Sequence, residues 1–332
     1  MKLVAFFQLA EVRWSLADEI LAAWRTRFPA LEVEAVEAAE RLPAALADAD
    51  LFVGWKLPPE SFAAAPRLRW LHSASAGIED CLFPALVASD VVLTNSTGLH
   101  AVCIPEHVLG QMLVLARNLH EAQRLQQRSE WNRFAVIAHA GGMRELFGST
   151  LAILGAGPIG ANLTRLAGAL GMRVRVMRRD ASRPVDGAEA VVAPGDLHAL
   201  LGWADFLVVA VPLTDETRGL IGAAELRAMR SDAFLINVAR GEVVDEPALI
   251  AALRAGGLAG ASLDVFDQEP LPPDHPYWAL PNLVVTPHIS GYTPTYFPRM
   301  LALFEDNLER FLTGRPLRNV VDKLRGYARA DA

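Results

Sequence analysis

The chain has 332 residues, 52% of them hydrophobic, enough to build two domains of ordinary size and to exclude wholesale disorder. Its formal net charge of −7 argues against a general binder of nucleic acid or anionic membrane. Two cysteines, Cys81 and Cys103, without metal-site spacing, exclude a disulfide framework and fit a reduced, cytoplasmic compartment; no uncharged apolar run reaches the ~20 residues that span a bilayer.

The opening MKLVAFFQLAEVRW has a short apolar run broken by Gln8 and Glu11, so it reads as a buried strand and not as a signal peptide. KLVAFF, LEVEAV, LFVGW, LRWLHSA and VVLTNS then read as short strands, with helical pieces such as SLADEILAAWRTRF between them. Such alternation implies a parallel sheet with helices on both faces. From Ile104 to about Arg128 the spacing predicts one long helix. Its first half reads as packed between two bodies and its second as emerging into solvent or onto a partner. After a glycine-containing loop, LAILGAG opens a second alternating series that continues through VRVMR, FLVVAV, AFLINVA, GASLDVF and NLVVTPH. The last helix, roughly Pro294 to Thr313, carries an apolar stripe at Met300, Leu301, Phe304, Leu308, Phe311 and Leu312, and its place after the second series suits a return to the first domain.

GAGPIG follows a strand and opens a helix, the context in which G-x-G-x-x-G binds a dinucleotide. Gly155 makes the tight turn, Gly157 lets the backbone approach pyrophosphate, and Gly160 permits close packing of helix on strand; Pro158 and Ile159 complete the turn. The strand VRVM ends about 18 residues past Gly160, where a carboxylate would meet the ribose 2′-OH of NAD. Here Arg178 and Arg179 stand, with Arg173, Arg175 and Arg183 nearby, in a chain that is acidic overall. A guanidinium grips a 2′-phosphate, so the expected cofactor is NADP(H), with NAD(H) kept as the alternative because Asp180 is adjacent.

Three later loops carry the reacting groups. Arg240 follows AFLINVA, Glu269 follows GASLDVF and His288 follows NLVVT, all past the carboxyl ends of predicted parallel strands. Singly, each has a structural explanation. Together they suit hydride chemistry on a 2-keto acid: Arg240 binds the carboxylate and keto oxygen, His288 donates the proton, and Glu269 fixes the imidazole tautomer and favours its charged form.

These motifs, with SASAGIED, IPEHVLGQMLVLAR, ADFLVVAVPLTDETRGLIG and INVARGEVVDEPAL, run in an order that resembles the D-isomer-specific 2-hydroxyacid dehydrogenases over nearly the whole chain. The resemblance implies an α/β fold of two doubly wound parallel-sheet domains: a flavodoxin-like substrate domain from 1–99 and 288–332, and an inserted Rossmann domain from 100–287. It maps the family's catalytic triad onto Arg240, Glu269 and His288. It implies that Ala76 and Gly77 hold the substrate carboxylate through backbone N–H groups. It implies further that Val211, Pro212, Thr217, Val238, Ala239, Asp264, His288 and Gly291 line the cofactor, Asp264 facing the nicotinamide amide. The acidic residue typical of the NAD-binding members is missing after the glycines, and Arg178 and Arg179 in its place resemble those of the NADPH-using glyoxylate and hydroxypyruvate reductases of the family. The expected substrate is a small 2-keto acid, the expected assembly a homodimer, and the rivals are an NAD-dependent or phosphoglycerate-type dehydrogenase and a dinucleotide-sensing corepressor.

Overall fold

The computed structural model describes residues 1–7 and 18–328. The expected helix beginning at Ser15 is seen from Asp18 to Arg27; its first three positions lie outside the described residues. The chain forms two α/β units, one from Met1–Leu99 with Pro294–Ala332 and one from His100–Thr293.

The first unit holds strands β1 (Lys2–Phe6), β2 (Glu32–Ala35), β3 (Leu51–Gly54), β4 (Trp70–Ser73) and β5 (Val92–Thr94). All pair in parallel in the order β2-β1-β3-β4-β5, the flavodoxin-like arrangement. Strand β1 shows why both faces need cover. Leu3 and Ala5 pack with Trp24 and Phe304, while Val4 and Phe6 pack with Leu42, Leu46 and Leu71. Each buried leucine, valine or phenylalanine among these contributes about 1.5–3 kcal/mol. The helix Tyr296–Leu312 covers the first of these faces, burying Met300, Phe304 and Leu308, with Phe304 and Phe311 each stacked 5.4 Å from Trp70.

The tail then completes this unit. Asn319 Nδ2 donates to the carbonyls of Asn95 (3.1 Å) and Thr97 (2.8 Å). Lys323 Nζ donates to those of Leu86, Ser89 and Val91 at 3.0, 2.5 and 3.1 Å, and burial lowers its pKa.

The second unit holds β6 (Thr150–Leu154), β7 (Arg173–Met177), β8 (Ala190–Val192), β9 (Phe206–Val209), β10 (Phe234–Asn237), β11 (Gly260–Leu263) and β12 (Leu283–Val285). Their order, β12-β11-β10-β9-β6-β7-β8, reverses direction between β6 and β9 as in a dinucleotide-binding sheet. Leu151 and Ile153 meet Val108, Met112 and Leu163 on one face; Ala152 and Leu154 meet Leu201, Leu226 and Leu249 on the other.

Two elements differ from the sequence reading. The single helix expected from Ile104 to Arg128 is two, Cys103–Ala116 and Leu119–Gln127. Asn118 between them takes a left-handed backbone (φ 50°), which asparagine tolerates better than most residues, and its Nδ2 donates to Val136 O at 2.9 Å. Strand β8 went unread because its three residues are only half-buried and carry no alternation. The chain leaves the second unit at Thr293, whereas the sequence boundary stood at His288. Residues 288–293 stay with it because Asp264 binds the amides of Ile289 and Ser290.

Candidate active site

The site in the second unit follows from strand register. Met177, Leu154, Val209, Asn237, Leu263 and Val285 are partners across neighbouring strands, so they form one row at the carboxyl edge of the sheet. Every loop singled out in this half of the sequence leaves from that row.

Gly155 follows β6 with φ +112°, and a Cβ there would sit 2.5 Å from the Ala210 carbonyl oxygen, so only glycine fits. Gly157 caps the helix Pro158–Ala169 with open space where a Cβ would project. That first turn holds no acidic residue and its cap makes no side-chain hydrogen bond, leaving the positive end of the helix dipole to an anion. Pro158 sits within the first turn, Ile159 is half-buried, and Gly160 lies so close to Gly155 that a Cβ would overlap its carbonyl oxygen. The turn fits a pyrophosphate.

At the end of β7, Arg178 is half-buried and Arg179 exposed. Arg178 Nη1 donates to Arg183 O at 3.3 Å. The neighbouring carboxylate is engaged elsewhere. Asp180 Oδ1 accepts from the Ser182 hydroxyl (2.5 Å) and amide (3.2 Å), and these bonds, with the charges of Arg178 and Arg183, lower its pKa. After β9, Val211 and Pro212 open a turn that Thr217 closes, its Oγ1 donating to Pro212 O at 2.6 Å.

Beyond β10, Val238 and Ala239 are buried, and Asn237 shapes the turn that presents Arg240. Its Nδ2 donates to Arg240 O at 2.8 Å and its Oδ1 accepts from Ala239 N at 3.0 Å. Sequence reasoning missed Asn237; a buried polar residue directly before the turn was the available signal. Gly241 lies against the Phe266–Asp267 backbone, where a Cβ would overlap, and this brings the Arg240 loop beside the loop carrying Glu269.

Glu269 and His288 meet, with Glu269 Oε2 2.7 Å from His288 Nδ1. Glu269 Oε1 accepts the Phe266 amide at 3.0 Å. Burial alone would raise the Glu269 pKa, but the hydrogen bonds from His288 and Phe266 and the charges of His288 and Arg240 outweigh it and hold the pKa low. Since Nδ1 faces a carboxylate, the imidazole keeps its proton there and leaves Nε2 as the working nitrogen. His288 has φ 52°, in the left-handed region, so its loop must be held.

Asp264, buried to 1% exposure, does the holding. Its Oδ1 accepts from Thr286 Oγ1 (2.5 Å) and Ile289 N (3.0 Å), and its Oδ2 from Ser290 N (2.9 Å). The carboxylate expected to face a nicotinamide amide is thus already an anchor for the loop of His288. Gly291 lies under His100, where a Cβ would sit 3.0 Å from the ring. Burial lowers the His100 pKa, the positive charges of His288 and Arg240 lowering it further and a hydrogen bond with Gly291 O opposing them.

Ala76 and Gly77 belong to the first unit, in the half-buried turn after β4. Asn95 Nδ2 donates to Ala76 O at 2.7 Å, fixing the turn from behind. Among the described residues no group of three or more His, Cys, Asp or Glu is placed to hold a metal, and no helix is long and apolar enough to cross a membrane.

Comparison with known proteins gives consistent results. Residues 109–290 match the family described as D-isomer specific 2-hydroxyacid dehydrogenase, NAD binding domain. A glyoxylate reductase of Aeropyrum pernix is 37% identical over 264 residues, covering 78% of each chain. A D-3-phosphoglycerate dehydrogenase of Methanocaldococcus jannaschii is 32% identical over 85% of this chain and 53% of its own. The crystal structure of an NADPH-dependent glyoxylate/hydroxypyruvate reductase from Sinorhizobium meliloti, in complex with NADP and sulfate, is similar with a TM-score of 0.82 and 30% identity, covering 98% of this chain and 99% of that one.

Proposed function

The chain belongs to the D-isomer-specific 2-hydroxyacid dehydrogenase family, and from that premise we propose that it reduces a small 2-keto acid, such as glyoxylate, hydroxypyruvate or pyruvate, to the D-2-hydroxy acid with NADPH. The observation that carries this reading is the His288–Glu269 pair at 2.7 Å, with the charge of Arg240 close enough to lower the Glu269 pKa. Bound NADPH supplies the hydride to the keto carbon. His288 Nε2 donates a proton to the keto oxygen as charge develops there, and Glu269 stabilises the imidazole while it holds that proton. Arg240 binds the substrate carboxylate and polarises the keto oxygen. In the oxidative direction the neutral imidazole takes the hydroxyl proton back.

Arg178 and Arg179 bind the 2′-phosphate in this reading. The engagement of Asp180 by Ser182 supports it, since that carboxylate is turned to its own loop. The similarity to an NADPH-dependent reductase supports it as well. Exposed Trp131, Phe134 and Phe147 in the second unit, at 97%, 67% and 76% exposure, favour a homodimer, which sedimentation velocity would test.

The deciding experiment is a panel of glyoxylate, hydroxypyruvate, pyruvate and phosphorylated 2-keto acids, each with NADPH and with NADH. Faster turnover of an unphosphorylated acid with NADPH is expected. Preference for NADH would overturn the cofactor assignment, and no turnover with any pair would favour a sensor over an enzyme.

A further inference from the structure

We propose that His107 is a positioning residue for the proton donor, holding the loop of His288 through Thr286 and Asp264. The proposal rests on the reading of His288 given above. His107 lies one turn into the helix Cys103–Ala116, on the opposite side of the sequence from the reacting groups, and its side chain is 16% exposed. Its Nε2 is 3.3 Å from Thr286 Oγ1 and 3.9 Å from Asp264 Oδ1.

The carboxylate of Asp264 sets the proton directions along this chain by inference from one donor to the next. Asp264 is a carboxylate whose Oδ1 faces Thr286 Oγ1 at 2.5 Å, so the hydroxyl donates to it. The hydroxyl oxygen can then only accept, so His107 presents Nε2–H to it. Burial lowers the pKa of His107, against an opposing pull from Asp264, which favours the neutral ring with a single N–H. Gln111 Nε2 stands 3.4 Å from His107 Nε2 and Gln111 Oε1 has no partner. Rotating that amide brings the oxygen to the imidazole N–H and removes the conflict between two donors.

The far end of the chain reaches the reaction. Asp264 accepts the amides of Ile289 and Ser290, the two residues after His288, while the His288 amide itself donates to Thr286 O at 3.0 Å. A left-handed backbone at a histidine is not self-supporting, so this clamp sets where the imidazole points. Hydrogen bonds in series polarise one another, and the His107 N–H holds the Thr286 oxygen while its hydroxyl donates to Asp264. His107 touches neither substrate nor cofactor in this account. It acts through the loop.

The test compares His107→Leu, His107→Gln and Thr286→Val with the wild type and with His288→Ala. His107→Leu is expected to lower kcat roughly 10-fold with KM for both substrates nearly unchanged, because the misplaced group works only in the transition state. His107→Gln, whose Nε2–H can reach Thr286, should recover most of that loss, a rescue that a packing role would not give. The double variant of His107→Leu with Thr286→Val should be no slower than the worse single variant if the two act in one chain. Hydrogen–deuterium exchange over residues 286–291 is read in parallel, and faster exchange in His107→Leu is expected whatever the substrate proves to be. Full kcat and unchanged exchange in a folded His107→Leu would overturn the proposal. If the wild type turns over no 2-keto acid, the functional reading fails, and the exchange measurement alone then decides whether the clamp exists.

Discussion

Replacing Glu269 by Gln changes one atom and removes one charge, and its effect can be worked from the contacts. Both oxygens of Glu269 accept, one from the Phe266 amide at 3.0 Å and one from His288 Nδ1 at 2.7 Å. A carboxamide offers a single oxygen, so in either orientation one of those donors faces an NH2 group. The bond lost is charge-assisted, about 1.5–3 kcal/mol, and a neutral replacement retains about 1 kcal/mol of it in the favourable orientation. The side chains of His288 and Glu269 are 48% and 36% exposed, so water substitutes for part of the rest. The net cost is about 1–2 kcal/mol in the transition state, or roughly 5–30-fold in kcat. Steady-state rates of NADPH oxidation with glyoxylate measure it, and fluorescence titration of the cofactor should show an unchanged Kd. A folded Glu269→Gln enzyme with wild-type kcat would refute the pairing as a catalytic device.

Three other outcomes are expected. Arg178→Asp combined with Arg179→Ala should move the ratio of kcat/KM for NADPH over NADH by roughly 10–100-fold toward NADH, since the proposed clamp would lose two charge-assisted phosphate contacts and gain a repulsive carboxylate; an unmoved ratio would dismiss the phosphate clamp. Gly160→Ala pushes a methyl group into the Gly155 carbonyl and to 3.3 Å from Ile153 Cγ2. It should cost about 1–3 kcal/mol in urea unfolding and weaken dinucleotide binding, and a neutral effect on both would show that the turn has slack. His72 is buried with its pKa lowered by desolvation to about 3, so the unfolded chain binds a proton there that the folded chain refuses. Stability is therefore full above the unfolded pKa of ~6.5 and drains as pH falls toward the folded value. His72→Leu should flatten that acid slope, and an identical slope in both proteins would place the sensitivity elsewhere.

Much of the fold was legible because its signals are local. The five strands of the first unit stood out by β-branched and aromatic content, and the glycine turn by a spacing that backbone geometry enforces at Gly155 and Gly160. Arg240, Glu269 and His288 could be named because each follows a strand, and strand ends in a parallel sheet share an edge. The helix break at Asn118 was illegible, since apolar spacing continues across it and the left-handed turn is stabilised by Val136, which is distant in sequence. The work of Asp264 and Asn237 was hidden for a related reason. A carboxylate that binds backbone amides looks, in a string of letters, the same as one that faces a ligand.

The first unit is assembled from both ends of the chain, and this orders events during synthesis. When residue 293 has been joined, the whole second unit exists and can fold, because domains mature as their residues become available. The first sheet at that moment still lacks Met300, Phe304 and Leu308 over one face, and Asn95 still lacks Asn319. The half that was translated earliest is finished latest.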